Sequence, residues 1–377
     1  MTASLCRDSV AKAAPWRARL GMRFAQAAGI GLLALCAACG TSGGGSKADT
    51  ANAVATSGPK LLDPLPAWRD GAAKQSILNF VSKTTTPGSP EFVAPEDRIA
   101  VFDNDGTLWR EDPVVELLFV VNRAQERARA EPALAGRSPY KEFLADPAAY
   151  FKSTGEAGAV RLLNELYGNT SLDTFQEDAR RYVANARHPK SKASLREGTY
   201  QPMLELLALL RSHGYQTWIC SGGTTDFMRV VSQSFYGIPP QQVIGSRLAA
   251  QFREHGRDNE IWREPKIESF NDKQMKPVNI ALQIGKRPVF AAGNVGGKGD
   301  IAMLSYSQAR KGPSFQLLVN HDDAERESAY AESDGGSLRA ASERGWTVVS
   351  MKRDWARVFP APGAAATSQP PVRAQAP

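Results

Sequence analysis

Four short apolar runs, residues 98–102, 216–220, 288–292 and 315–319, constrain the fold more than any other feature of this chain. Each is continuous rather than alternating and is bounded by turn-forming residues, so each predicts a strand buried on both faces. Helical patterns separate them. Residues 202–212 repeat Leu at helical spacing and stop at His213-Gly214, and further helices are predicted over 226–235 and 278–284. Strand, helix, strand in alternation implies an α/β fold with a doubly wound, mostly parallel sheet, and places ligands at the carboxyl ends of the strands. Helical periodicity without a strong strand fills residues 114–130, 159–167 and 172–186. This stretch interrupts the alternation just after the first strand, which predicts a helical cap at about 112–197. Residues 244–267 mix charges with Phe252 and Trp262 and predict a solvent-facing hairpin.

The ends of the chain have a different character. From Gly40 to about Lys60 there is hardly a large apolar residue, so burial cannot offset the entropy of ordering. A flexible tether is expected at 39–62 and a disordered tail of similar composition at 361–377, leaving residues 63–360 as one domain. Residues 1–38 have the three parts of an export signal: basic residues up to Arg23, an apolar run at 27–35, and small residues before Cys39. The run falls short of the roughly 20 residues a membrane span needs, which predicts cleavage. The stretch Leu-Ala-Leu-Cys-Ala-Ala-Cys-Gly resembles a bacterial lipoprotein signal. That resemblance implies a lipid on Cys39 and a place on the periplasmic side of a bacterial membrane, although Cys36 stands where the pattern prefers an aliphatic residue.

Charge and cysteine usage narrow the function classes. The formal charge is +7, but five basic residues against one acidic residue in the first 38 carry most of it. With no arginine-rich stripe interleaved with aromatics, the footprint of a nucleic-acid partner is missing. Beyond Cys39 the one cysteine is Cys220, inside an apolar strand, so no internal disulfide can form and the thiol is expected to be inert.

The first predicted strand runs into Asp103-Asn104-Asp105-Gly106-Thr107-Leu108-Trp109. Two carboxylates two residues apart, at the open end of a buried strand, would face one crevice. On this stretch alone an Asx-type turn closing the strand explains the residues equally well. Asp-x-Asp-Gly-Thr after an apolar strand resembles the first motif of the haloacid dehalogenase superfamily, and three later segments resemble the remaining motifs in order. They are Trp218-Ile219-Cys220-Ser221-Gly222-Gly223, Asp272-Lys273-Gln274-Met275-Lys276-Pro277, and Ala292-Gly293-Asn294 through Asp300-Ile301-Ala302-Met303. The resemblance is closest to the exported, phosphoserine-phosphatase-like branch, whose look residues 320–327 also have.

What the resemblance implies is a phosphatase that acts on a small phosphorylated metabolite. A carboxylate attacking a phosphate faces like charge; a unit pair about 4 Å apart in an effective dielectric of about 20 costs about 4 kcal/mol. By resemblance the compensating cation is Mg²⁺, held by the Asp103 carboxylate, the Asp105 backbone carbonyl, Asn294 and Asp300. Asp103 is then the nucleophile that forms an aspartyl-phosphate, and Asp105 protonates the leaving oxygen and later activates water. Lys276 adds a point charge, Ser221 and Gly222 meet the phosphoryl oxygens, and Thr107 orients the loop.

Lys273 competes with Lys276, which has the Lys-Pro context seen in the family. Glu111 stands where related enzymes meet a substrate ammonium, or is a solvated residue beside Asp112. His321 is either a crevice residue or a structural histidine. In the fourth motif Asn294 replaces the usual acid, and residues 295–299 stretch the gap to Asp300. Lys298 then either brings positive charge to the metal or points into solvent. Three other functions stay open: a phosphotransferase or a dehalogenase on the same scaffold, and a binding lipoprotein without turnover.

Overall fold

The computed structural model describes residues 63–361 and 363, except 257; the expected signal peptide, the Cys39 junction and nearly all of the tether and tail lie outside the described residues. Eight strands form one sheet: β1 Ile99–Phe102, β2 Thr170–Ser171, β3 Gln216–Thr224, β4 Val243–Arg253, β5 Glu260–Ser269, β6 Phe290–Asn294, β7 Phe315–Asn320 and β8 Thr347–Ser350. Their order is β2-β5-β4-β3-β1-β6-β7-β8. The run from β4 to β8 is parallel, and only β5 and β2 at one edge are antiparallel. The α/β class and the mostly parallel sheet expected from the four apolar runs are therefore present, with β1, β3, β6 and β7 at the centre.

Alternate side chains of the central strands enter different cores, as the two-residue period of a strand requires. Ala100, Phe102 and Ala292 join one apolar cluster, while Ile99, Val101 and Ala291 join a second. The first is covered by α1 Ala72–Thr85 through Ile77, Phe80 and Val81, and by α6 Gln201–Ser212 through Leu206, Leu207 and Leu210. Phe290 stacks on Phe315 at 5.2 Å between ring centres. A fully buried side chain such as Phe290 contributes about 1.5–3 kcal/mol relative to an exposed one. The second core takes Ile280 of α8 Met275–Ile284, Met303 and Leu304 of α9 Ile301–Gln308, and Ala340 and Ala341 of α10 Gly336–Arg344.

Ahead of α6, four helices follow β1: α2 Val115–Ala130, α3 Tyr140–Ala145, α4 Pro147–Tyr167 and α5 Leu172–Asn185. Phe119 of α2 is their hub, with ring centres 5.8 Å from Tyr167, 5.8 Å from Phe175 and 5.0 Å from Tyr182. It also stacks on Phe227 at 5.2 Å, which ties the insertion to α7 Thr225–Tyr236. Helix α4 breaks at Gly155, whose φ of 57° is left-handed. That break hid the first half of α4 from the periodicity.

The hairpin expected at 244–267 needs correction. Val243 to Ser246 of β4 are buried, and β4 pairs in parallel with β3 before it leaves the main sheet to pair with β5. The hairpin is thus part core strand and only part solvent-facing, because the first four residues of β4 are inserted beside β3 and buried. The short β8 and α11 Met351–Asp354 were not foreseen, being too brief to carry a period. Among the described residues no helix is long and apolar enough to cross a membrane.

Candidate active site

Parallel register brings three strand ends level. Phe102 pairs with Ile219 of β3 and with Ala292 of β6, so the residues that follow, Asp103, Ser221 and Asn294, stand at one edge of the sheet. Asp103 N donates to Ala292 O at 2.9 Å, which holds the chain extended until its side chain clears the strand.

Asp103, Lys276 and Asp300 form a buried triad. Lys276 Nζ, at the start of α8, lies 2.6 Å from Asp103 Oδ1 and 2.5 Å from Asp300 Oδ1. Burial works against the ammonium, but the two carboxylates outweigh it and hold its pKa well above the usual lysine value. Burial, then the Asp300 charge, pushes Asp103 upward, although Lys276 opposes both. Asp300 Oδ2 also accepts from Asn294 N at 3.0 Å. This close approach requires Gly293, where an added Cβ would sit 2.5 Å from Asp300 Oδ2.

Asn294 gathers the next set of residues. Its Oδ1 accepts from Thr107 Oγ1 at 3.3 Å, and its Nδ2 donates to Glu111 Oε2 and Tyr330 Oη, both at 3.3 Å. Gly106 makes room for it: φ is +74°, and a Cβ there would fall 2.1 Å from Asn294 Nδ2. Burial raises the Glu111 pKa to about 7, helped by the charges of Asp105 and Asp300. The Asp105 carboxylate faces elsewhere, accepting from Trp109 Nε1 at 2.7 Å, and burial raises its pKa too.

Ser221 and Gly222 line the neighbouring strand end. Asn271 Nδ2 donates to Ser221 O at 2.8 Å and Ser246 Oγ to Gly222 O at 2.7 Å, while Ser221 Oγ accepts from Gly223 N at 3.0 Å. Among the described residues no hydrogen bond joins Ser221 or Gly222 to the triad.

Other candidates lie apart. Lys273 is exposed beside Asp272 at 3.4 Å. Lys298 pairs with the exposed Asp334 and is turned away from the triad. His321 donates through Nε2 to Gly106 O at 2.7 Å and stacks on Tyr330, with ring centres 4.2 Å apart. Burial lowers its pKa to about 4, so it is a neutral prop for the first-motif loop. Burial likewise lifts the Cys220 thiol to about 12.

Four residues near the site were not singled out from sequence: Trp109, Glu116, Tyr330 and Glu332. Only Trp109 had a local signal, its place four residues after Asp105. Glu116 of α2 accepts from Thr224 N at 2.8 Å and from Thr224 Oγ1 at 2.5 Å, anchoring the insertion to the end of β3.

Two carboxyl groups, Asp103 and Asp300, thus share one buried cation, Lys276, whose charge the nearby Asp105 carboxyl also feels. Among the described residues no three His, Cys, Asp or Glu side chains converge on one point. The oxygens available are two carboxylates, an amide and backbone carbonyls. That surplus of negative charge and all-oxygen donor set fits a hard divalent cation such as Mg²⁺ better than a soft one.

Residues 100–295, more than half of the chain, match the haloacid dehalogenase-like hydrolase family. No curated protein matches. Among solved structures, the chain is similar to a conserved functionally unknown protein from Anaerococcus prevotii at 14% identity, covering 73% of this chain and 90% of that one, with a TM-score of 0.45. It is also similar to a phosphoserine phosphohydrolase-like protein from Francisella tularensis at 13% identity, covering 68% and 95%, with a TM-score of 0.38.

Proposed function

The chain belongs to the haloacid dehalogenase-like hydrolase family, and from that premise we propose that it is a phosphomonoester hydrolase with Asp103 as nucleophile. The observation that carries this reading is the buried triad of Asp103, Lys276 and Asp300, with Asp105 held separately by Trp109. A dehalogenase has no need of a second acid, since a leaving halide takes no proton; Asp105 favours a phosphate ester.

An Asp103 oxygen attacks phosphorus, and the bond from phosphorus to the ester oxygen breaks as Asp105 protonates that oxygen. Asp105, now ionised, takes a proton from water. The water oxygen attacks phosphorus, the bond to Asp103 breaks, and phosphate leaves with both carboxyl groups restored. Lys276 favours the ionised form of Asp103 against burial and offsets charge on the phosphoryl group. Ser221 and the backbone around Gly222 donate to phosphoryl oxygens, and Thr107 keeps Asn294 oriented. Asp103, the Asp105 carbonyl, Asn294 and Asp300 would hold Mg²⁺, which supplies electrophilic stabilisation of the phosphoryl oxygens when bound. Glu111, beside the site, offers a carboxylate to a cationic substrate group. The helical insertion acts as a cap that excludes water.

The reading places the protein in the exported, phosphoserine-phosphatase-like branch, on the periplasmic side and tethered by lipid at Cys39. Incubating the chain and Asp103→Asn with a panel of small phosphorylated metabolites and Mg²⁺ tests the activity. Phosphate release by wild type alone supports hydrolysis, label appearing on an acceptor identifies a transferase, and neither product leaves a binding protein. Wild type that is wholly soluble, with no lipid on Cys39, removes the anchor.

A further inference from the structure

The loop that delivers Asp300 is longer than its family pattern and poorly suited to hold itself. Three of the residues 295–299 are glycines, Gly296 has φ +123°, and Lys298 has φ +60°, which L side chains rarely adopt. Its order comes from a distant segment between β7 and α10. The backbone N–H groups of Gly296, Gly297 and Lys298 all donate to Glu332 Oε1, at 3.2, 3.2 and 3.1 Å, and Ser337 Oγ donates to the same oxygen. Successive N–H groups that converge this way form a concavity suited to an anion, and here the chain supplies its own. Tyr330 Oη reinforces the grip by accepting from Asn294 Nδ2, whereas the exposed pair of Asp334 with Lys298 adds little.

We propose that Glu332 is a positioning residue for the metal end of the site, fixing the extended loop so that Asn294 and Asp300 stand against Asp103 and Lys276. The inference rests on the metal-dependent reading above. Physically, a glycine-rich loop samples many conformations, and few of them leave Asp300 Oδ2 on Asn294 N. An acceptor that engages three consecutive amides removes most of those alternatives before any cation arrives.

The test uses the full chain with Mn²⁺ as the probe, free Mn²⁺ being followed by electron paramagnetic resonance, alongside amide hydrogen exchange of residues 296–300. In Glu332→Ala the three amides are expected to exchange faster and Mn²⁺ affinity to fall by about 10- to 100-fold, the usual effect of losing an outer support of a metal site. Glu332→Gln, which keeps an acceptor oxygen in place, is expected to recover most of both. Faster exchange in Glu332→Ala with wild-type Mn²⁺ affinity overturns the proposal. So does Glu332→Gln with protected amides and lost affinity, a comparison that serves even if the alanine variant does not fold. If wild type binds no Mn²⁺ although its amides are protected, the metal-dependent reading itself fails, and the positioning role fails with it.

Discussion

Trp109 Nε1 donates to Asp105 Oδ1 at 2.7 Å, and this one bond separates the second carboxyl of the first motif from the triad built on Asp103. The indole is fully buried, with ring centres 6.0 Å from Phe235 and 6.1 Å from Tyr236. Asp105 is therefore aimed by packing as well as by its position on the loop. The indole N–H also lowers the carboxyl's pKa against the larger upward push of burial.

Trp109→Phe keeps most of that packing and deletes the donor. A hydrogen bond to a charged group is worth about 1.5–3 kcal/mol, or roughly 10- to 100-fold in rate. The loss should appear with poor leaving groups and shrink with p-nitrophenyl phosphate, whose phenolate needs little protonation. The pH-rate limb assigned to Asp105 should move to higher pH. An unchanged profile on both substrates would show that the indole only fills space.

Asp103→Asn should abolish phosphate release while leaving the fold intact, because the amide oxygen still accepts from Lys276. Lys276→Met is expected to be worse for the protein. Removing the cation leaves Asp103 and Asp300 buried without a counter-charge, a loss of about 3–5 kcal/mol where such a pair is broken. Thermal unfolding and single-turnover assays of the two variants separate the chemical role from the structural one. Activity in Asp103→Asn close to wild type would end the nucleophile assignment.

The position of Lys298 changes what is expected of the fourth motif. Its ammonium pairs with exposed Asp334 rather than facing the triad, so Lys298→Ala should leave the Mg²⁺ needed for half-activation unchanged. Asp300→Asn should raise that requirement steeply or abolish activity, since Asp300 contacts both Lys276 and Asn294. A Mg²⁺ titration of both variants decides; a shift in Lys298→Ala would place that charge back at the metal.

Glu116 should make stability depend on pH. Burial raises its pKa from 4.5 to about 7, even though bonds from Thr224 favour the ionised form. A carboxyl whose folded pKa is raised binds its proton more tightly in the folded state. Its contribution is full below about pH 4.5 and is lost as pH rises through about 7. Glu116→Gln cannot ionise, so the wild type should lose stability relative to this variant across that window. A shift of this size corresponds to roughly 3 kcal/mol. Parallel curves in urea denaturation from pH 4.5 to 7 would mean that Glu116 stays charged.

The sequence by itself determined the alternation of strands and helices and which chemically active residues stand at strand ends. Both properties are local: a continuous apolar run reports burial on two faces, and a motif fixes its neighbours by covalent connection. That is why Asp103, Asp105, Ser221, Lys276, Asn294 and Asp300 could be named before any contact was known. Tertiary structure decided the rest, because side-chain partners depend on where distant segments land. The Lys-Pro context already points to Lys276 rather than Lys273, but that its ammonium reaches both Asp103 and Asp300 appears only when α8 packs against β3 and β4. The direction of Lys298 and the grip of Glu332 on residues 296–298 join positions more than thirty residues apart. Nothing in the local pattern of a glycine-rich loop encodes the carboxylate that holds it; only folding brings the two together.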